Sequence, residues 1–343
     1  MATYDGAVEA LGLEAWCGAA GGGPMSMADL MSRTTGTGAG QGTLLDLPFP
    51  SLDALNRACP AIPRSRDMTE AVEQGFLAIK DPLTFVLDPL TQPLSWMLDA
   101  SLEVFQDVPW FVIIPLLVAA TWFASRRAGV TALVAASFLF MAFIDYYDDA
   151  IRTLSIVFVC TLISVAIGVP VGIAMSRSDA LQRSMIPVLD MLQTLPTFVY
   201  LIPLIFLFSV TESKLYGIAI ILYAIVPVIR LTDLGIRLVD RDVIEAADAF
   251  GMSARQKLWG VQVPLALPNI MAGINQTIMM SLAMVVIASL VSAPGLGVKV
   301  LAGIRNLELG TGLVAGFCIV LLAVVLDRST KAALGRIDAS ART

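Results

Sequence analysis

The sequence predicts an all-α protein that crosses a membrane about seven times. Three observations predict it. Of the 343 residues, 57% are hydrophobic and only 15% are charged, where a soluble domain carries about 25% charged residues. The mean hydropathy of +0.79 comes with long uncharged runs, and their surplus apolar surface suits lipid rather than an aqueous core. Lys and Arg gather in every second connection between those runs, the asymmetry expected of a multi-span protein with a positive inside.

Residues 1–107 hold 5 Lys/Arg against 14 Asp/Glu, and the remainder holds 17 against 14. The first part, residues 1–81, reads as an acidic, partly disordered extension. It carries the Gly-rich stretches "GAAGGGP" and "TTGTGAGQGT", typical of flexible chain. No basic segment followed by an apolar stretch opens it, so no cleavable signal peptide is expected. Over residues 82–107, Leu94, Met97, Leu98, Leu102 and Phe105 recur at helical spacing, with Asp99, Glu103 and Asp107 mostly elsewhere. That pattern predicts an amphipathic helix lying at the membrane interface.

Residues 108–343 hold the spans. Uncharged runs cover Val108–Ser125, Ala128–Ile144, Thr153–Ser176, Met191–Thr211, Leu215–Ile229, Leu258–Val298 and Leu309–Leu326. A spanning helix needs about 17–25 such residues. The sixth run is too long for one helix. Pro264 and Pro268 are expected to break it, leaving Asn269–Val291 as the span. In the fourth, Pro196 and Pro203 are expected to act as kinks. One set of connections and the tail holds 13 Lys/Arg and the opposite set holds 4, Arg152, Lys214, Lys299 and Arg305. This predicts an amino terminus outside and a carboxyl terminus in the cytoplasm.

The absence of histidine excludes His-rich zinc sites and His general-base catalysis. Cys160 and Cys318 lie in apolar runs and read as small buried hydrophobes. Cys17 and Cys59 can pair if the amino-terminal region faces an oxidising compartment.

The connection over residues 239–268 is the largest on the basic side. Val243, Ala247 and Phe250 share one helical face, and Asp242 with Glu245 fits a capping box. Gly251 suits a helix stop with positive φ. Ser253 with Gln256 fits a second capping box, opening a helix that Pro264 would end. Two short capped helices joined at a glycine suit docking into a partner's groove; a surface loop without a partner is the alternative.

The stretch "EAADAFG", followed nine residues later by "VQVP", resembles the EAA signature of ABC-importer permeases. Glu245, Ala246, Ala247, Gly251 and Pro264 match it by identity and spacing, and Val261 and Val263 stand where the family has Ile and Leu. "LDMLQTLPTFVYLIP", "IMAGINQTIMMSLAMVVIASLV" and "GLGVKVLAGI" are similar to the glycine betaine/proline betaine permeases of the ProW type. The resemblance covers about residues 90–335. It implies a type I ABC-importer permease core and a coupling role for Glu245, Ala246, Ala247, Gly251, Ser253 and Pro264, with Glu245 anchoring the helices and Gly251 setting their angle. It implies a permease homodimer, two cytoplasmic ATPase subunits and an extracytoplasmic binding protein, in a bacterial inner membrane. The chain lacks a GxxxxGK[ST] loop, so ATP and Mg would be used by the partner ATPase and no cofactor is expected here. The solute would be glycine betaine, proline betaine, choline, carnitine or trimethylamine N-oxide.

Polar residues inside spans are costly and mark candidates for a solute path: Gln193, Thr194 and Tyr200 in the fourth span, Asn275 and Gln276 in the sixth, with Met280 as adaptable apolar lining. Hydrogen bonding between helices is the competing role for the amides. Asp190 is expected to sit at an interface or to pair with an arginine such as Arg183. "DYYDD" at 145–149 is either a cation-attracting patch or an acidic loop with interfacial tyrosines. Gly168 and Gly172 have the spacing that permits close helix packing. A permease for another amino acid or amine is the alternative. An ion-coupled secondary transporter would want a carboxylate inside the spans. A membrane enzyme would want a nucleophile–base set, and none is visible; the expectation is a non-catalytic subunit.

Overall fold

The structure, a computed structural model, describes residues 11, 59 and 65–341. Most of the extension expected at 1–81 lies outside the described residues, and so does Cys17. Cys59 is buried and disulfide-bonded. The chain divides into two units, Met1–Asp81 and Pro82–Thr343, and the apolar core belongs to the second.

The described residues form helices and no strand. In order they are α1 Ser65–Asp107, α2 Trp110–Ser125, α3 Ala128–Phe143, α4 Tyr147–Arg177 and α5 Asp179–Thr194. A 3₁₀ turn at Thr197–Tyr200 leads to α6 Leu201–Leu207, then α7 Ser213–Arg237 and α8 Arg241–Ala249. Next come α9 Ala254–Lys257, α10 Val263–Ala288, α11 Leu296–Arg305 and α12 Leu309–Ala341. Four stretches are long and apolar enough to cross a membrane: α4, α7, Ala254–Val291 and Leu309–Ala333. The number rises to six if each of two sharply bent pairs forms one span, and Ala128–Phe143 is a shorter apolar helix. Among the described residues the seven expected spans thus become four to six, with Ala128–Phe143 a helix of 16 residues.

Three expectations change. The fourth span is broken, not kinked: α5 and the segment Thr197–Leu207 meet at 104°. Pro196 lacks an N–H and forces Leu195 into the extended region at φ −63, ψ 133, as the residue before a proline prefers. Pro203 kinks nothing, because it sits in the first turn of α6, where its missing donor has no partner to lose. The sixth run is not broken. Ala254–Val291 runs on for 38 residues, because a π-helical turn at Leu258–Gln262 widens the backbone just before Pro264. There the Val263 N–H reaches back to the Leu258 carbonyl, and Pro264 falls at the start of the renewed α-helix.

The third change concerns the interfacial helix. α1 begins at Ser65 and passes through Pro82, Pro89 and Pro93. Its expected apolar face packs on the helical core rather than facing lipid alone: Leu98 is fully buried, and Leu94, Leu102 and Phe105 lie against the same cluster. Met97 is exposed. A Cβ at Gly217 of α7 would lie 2.6 Å from Leu98 Cδ1, so the glycine lets α1 approach. Ser101 and Ser155 share a hydrogen bond of 2.8 Å. Lys214, almost fully buried, pairs with Asp88 at 2.9 Å and Glu212 at 3.3 Å, and its ammonium stands 5.3 Å from the Phe208 ring centre.

The centre of the second unit is the packing of α4, α7 and α10. A Cβ at Gly172 would stand 2.6 Å from Thr232 Cβ and 2.7 Å from the Ile229 carbonyl. One at Gly168 would collide with Val228. The GxxxG spacing of α4 thus seats it directly on α7. From the other side, a Cβ at Gly273 of α10 would stand 3.0 Å from Val228 Cα. Ile156, Cys160, Ile220, Met284 and Val285 fill the core between these helices.

Candidate functional site

The connection between α7 and α10 is built from caps. Asp240, two residues before the expected cap, starts α8: its Oδ1 accepts from the Asp242 N–H at 3.0 Å. The Asp242/Glu245 capping box is therefore replaced by a cap at Asp240, with Asp242 in the first turn where the helix dipole favours an anion. α8 ends on Gly251 at φ +71. The Met252 N–H reaches the Ala247 carbonyl at 3.2 Å and the Gly251 N–H reaches the Asp248 carbonyl at 2.9 Å. These two bonds are a Schellman stop. No atom lies within 4 Å of a Cβ built at Gly251, so the glycine is required by its φ and not by crowding.

Ser253 then caps α9 with the expected box. Its Oγ accepts from the Gln256 N–H at 3.4 Å, and its own N–H donates to Gln256 Oε1 at 2.9 Å. α9 is not a separate helix, since it continues through the π turn into α10. Ala247 and Leu258 are buried, and Leu258 packs with Ile236, Ala266 and Ile270. Lys257 Nζ reaches both oxygens of Asp248 at 2.6 and 2.8 Å, tying the two arms of the hairpin. Glu245 is exposed and makes no side-chain hydrogen bond or ion pair among the described residues. Within the hairpin the ion pair that ties the two arms is made by Asp248, not Glu245. Ala246 is exposed beside it. The Val243–Ala247–Phe250 face is split: Ala247 turns inward while Phe250 is 89% exposed. Val243 and Trp259 are exposed as well, so the hairpin carries exposed apolar side chains, with the Glu245 carboxylate on another side of α8 from Val243 and Phe250.

The candidate path residues that bond do so in separate contacts. Tyr200 is buried, and its hydroxyl donates to the Leu192 carbonyl and, at 3.4 Å, to the Leu195 carbonyl. It closes the broken end of α5. Asn275 Nδ2 donates to Asp327 Oδ1 at 3.1 Å, joining α10 to α12. Thr194 is exposed and bonds its own helix at the Met191 carbonyl, 3.4 Å away. Gln193 is half-buried and Gln276 exposed, and neither bonds another helix among the described residues. Met280 is half-buried. Asp190 pairs with Arg230 rather than Arg183. Sequence reasoning missed Asp179, Gln182, Asp233 and Arg237, which meet where α4 and α7 end and α5 begins. The spacing of Asp233 and Arg237, four apart, was the only local signal.

Residues 164–338 match the family model described as "Binding-protein-dependent transport system inner membrane component". The chain is 42% identical over 225 residues to the glycine betaine transport system permease protein OpuAB of Bacillus subtilis, covering 65% of this chain and 79% of that one. It is 41% identical over 247 residues to the glycine betaine/carnitine transport permease protein GbuB of Listeria monocytogenes, covering 71% and 87%. It is 37% identical over 297 residues to the glycine betaine/proline betaine transport system permease protein ProW of Escherichia coli, covering 86% and 83%. Its fold is shared with a chain of the inward-facing MetNI methionine ABC transporter, at a TM-score of 0.52 and 19% identity over 56% of this chain and 95% of that one. The capped hairpin, the glycine-packed helices and these matches agree: the chain belongs to the family of binding-protein-dependent transport system inner membrane components.

Proposed function

We propose that this chain is the membrane-spanning permease of an ATP-driven importer for a betaine-like osmolyte. Its partners in this reading are a second copy of itself, two ATPase subunits docked on the Glu245–Pro264 region, and an extracytoplasmic binding protein that delivers the solute. The chain is non-catalytic and holds no cofactor of its own; ATP and Mg are used by the ATPase. The hairpin faces the cytoplasm, as does the carboxyl terminus, and the amino terminus lies outside. The buried disulfide at Cys59 supports an oxidising location for that end.

The hairpin carries the reading. Its interior is fixed by two caps, a glycine stop and one ion pair, yet Phe250, Trp259 and Glu245 are all exposed. A rigid, partly apolar surface at a connection between spans suits a second protein. Relatives named for glycine betaine, proline betaine, carnitine and trimethylamine N-oxide transport support the quaternary-amine class. The test is uptake of labelled glycine betaine into liposomes holding the permease, its ATPase and its binding protein. Accumulation that requires ATP supports the reading; uptake of another amine or amino acid in place of betaine transfers the chain to that substrate.

A further inference from the structure

α5 leads into the 104° bend of the broken span, and α7 leads into the hairpin. Polar contacts join the two helices in antiparallel register. In the first turn of α5, Asp179 Oδ1 accepts from Arg237 Nη1 at 2.7 Å. Three residues on, Gln182 Nε2 donates to Asp233 Oδ2 at 2.6 Å. Further along, Asp190 pairs with Arg230. The partners thus climb α5 as they descend α7. Arg237 also binds Asp233 Oδ1 through Nε at 2.9 Å, and its Nη2 donates to the Met175 carbonyl of α4 at 2.8 Å. One guanidinium therefore joins the ends of three helices, one of them through the Met175 carbonyl, which also accepts from the Ser178 N–H that caps α4, at 3.2 Å. Asp233 is only 6% exposed, and both its oxygens are engaged.

The apolar side of the same contact is separate from the main core: Met175, Leu189, Val226 and Ile229 cluster beneath the ladder. Position gives these contacts their meaning. Arg237 ends α7, and only Leu238, Val239 and Asp240 stand between it and α8. At the far end of α5, the Tyr200 hydroxyl fastens the bend. We infer that this ladder is the transmission of the importer: it makes α5 travel with α7, so a displacement at the docking hairpin reaches the bend of the broken span. Asp179, Gln182, Asp190, Arg230, Asp233 and Arg237 are positioning residues in this account, which rests on the permease reading above.

The test uses the complete importer in liposomes and reads solute uptake and ATP hydrolysis on the same sample, because a claim of transmission needs a measured coupling. Arg230→Asp is expected to lower betaine moved per ATP by about tenfold, a usual size for coupling between sites, with hydrolysis nearly unchanged. Adding Asp190→Arg should restore the ratio. Gln182→Leu, which removes one contact without altering charge, should lower it in the same direction. An unchanged ratio in both single variants would overturn the inference. So would a parallel fall in uptake and hydrolysis that the double variant does not rescue, since that is the behaviour of contacts that only stabilise the fold. A second measurement does not depend on the solute. Spin labels on Ser184→Cys of α5 and Leu234→Cys of α7 should keep one separation with and without ATP, and should lose that constancy in Arg230→Asp. A wild-type separation that changes on ATP binding would sink the ladder, whatever the liposomes transport. Wild-type liposomes that move no betaine would count against the substrate reading alone.

Discussion

At the scale of single residues, the hairpin rests on Gly251. Its φ of +71 is a conformation that costs an L side chain about 1–2 kcal/mol, more for a β-branched one. Although a Cβ there meets open space, Gly251→Ala should still cost about 1–2 kcal/mol from φ strain alone. Gly251→Val should leave the chain in the membrane while solute-dependent ATP hydrolysis of the assembled importer falls. Equal hydrolysis in wild type and Gly251→Val would remove the coupling role of this glycine. Tyr200 is a second test. Its hydroxyl satisfies carbonyls at the broken end of α5, so Tyr200→Phe should lower stability in detergent by about 1 kcal/mol, the net worth of a typical hydrogen bond. An unaltered thermal midpoint would show that those carbonyls find other donors. What was legible at this scale was local. Gly251 and the Ser253–Gln256 box follow from residues within three positions of each other. The Asp248–Lys257 pair spans nine positions and depends on the turn that Gly251 makes, so no periodicity announces it. Glu245 was read as part of a capping box with Asp242, and its anchoring role came from the EAA resemblance. Asp240 holds the cap instead, because a cap is set by where the backbone leaves the helix and not by residue type.

At the scale of elements, apolar runs located the helices and prolines misplaced some of their breaks. Pro196, Pro203, Pro264 and Pro268 look alike in sequence. Pro196 breaks a helix because Leu195 is driven extended ahead of it. Pro264 does not, because a π turn has already widened the backbone in front of it, and Pro203 is harmless in a first turn. Gly168 and Gly172, by contrast, were readable as a packing face, and α4 sits against α7 there. Gly172→Leu is predicted to cost at least the 1–3 kcal/mol of an overpacked core, since Thr232 and the Ile229 backbone stand in the way. The check is the yield of folded chain from membranes. Recovery equal to wild type would mean that α4 and α7 can part without loss. The amphipathic pattern of α1 was also legible, but its partner was not. The same stripe of Leu94, Leu98, Leu102 and Phe105 suits a lipid surface or a helical bundle, and only Gly217 across the contact decides for the bundle.

At the scale of the whole molecule, the family was written in the hairpin signature and the class in the hydropathy. The solute path was not, because intramembrane amides serve two purposes. Asn275 is used to hold α12 through Asp327, and Tyr200 to close a bend, so polarity in a span did not distinguish lining from fastening. The proposed orientation makes its own prediction. A membrane-impermeant thiol reagent should reach Ser253→Cys from the cytoplasmic side only and Arg305→Cys from the outside only; the reverse pattern would invert the topology. The central claim is that the outer face of the hairpin around Phe250 is where the ATPase docks. The direct measurement is the rate of thiol modification of Phe250→Cys in the isolated permease and in the permease assembled with its ATPase. Strong protection on assembly, absent when the same reporter is placed at Arg305, is the predicted result. Modification at the same rate in both states would contradict the account.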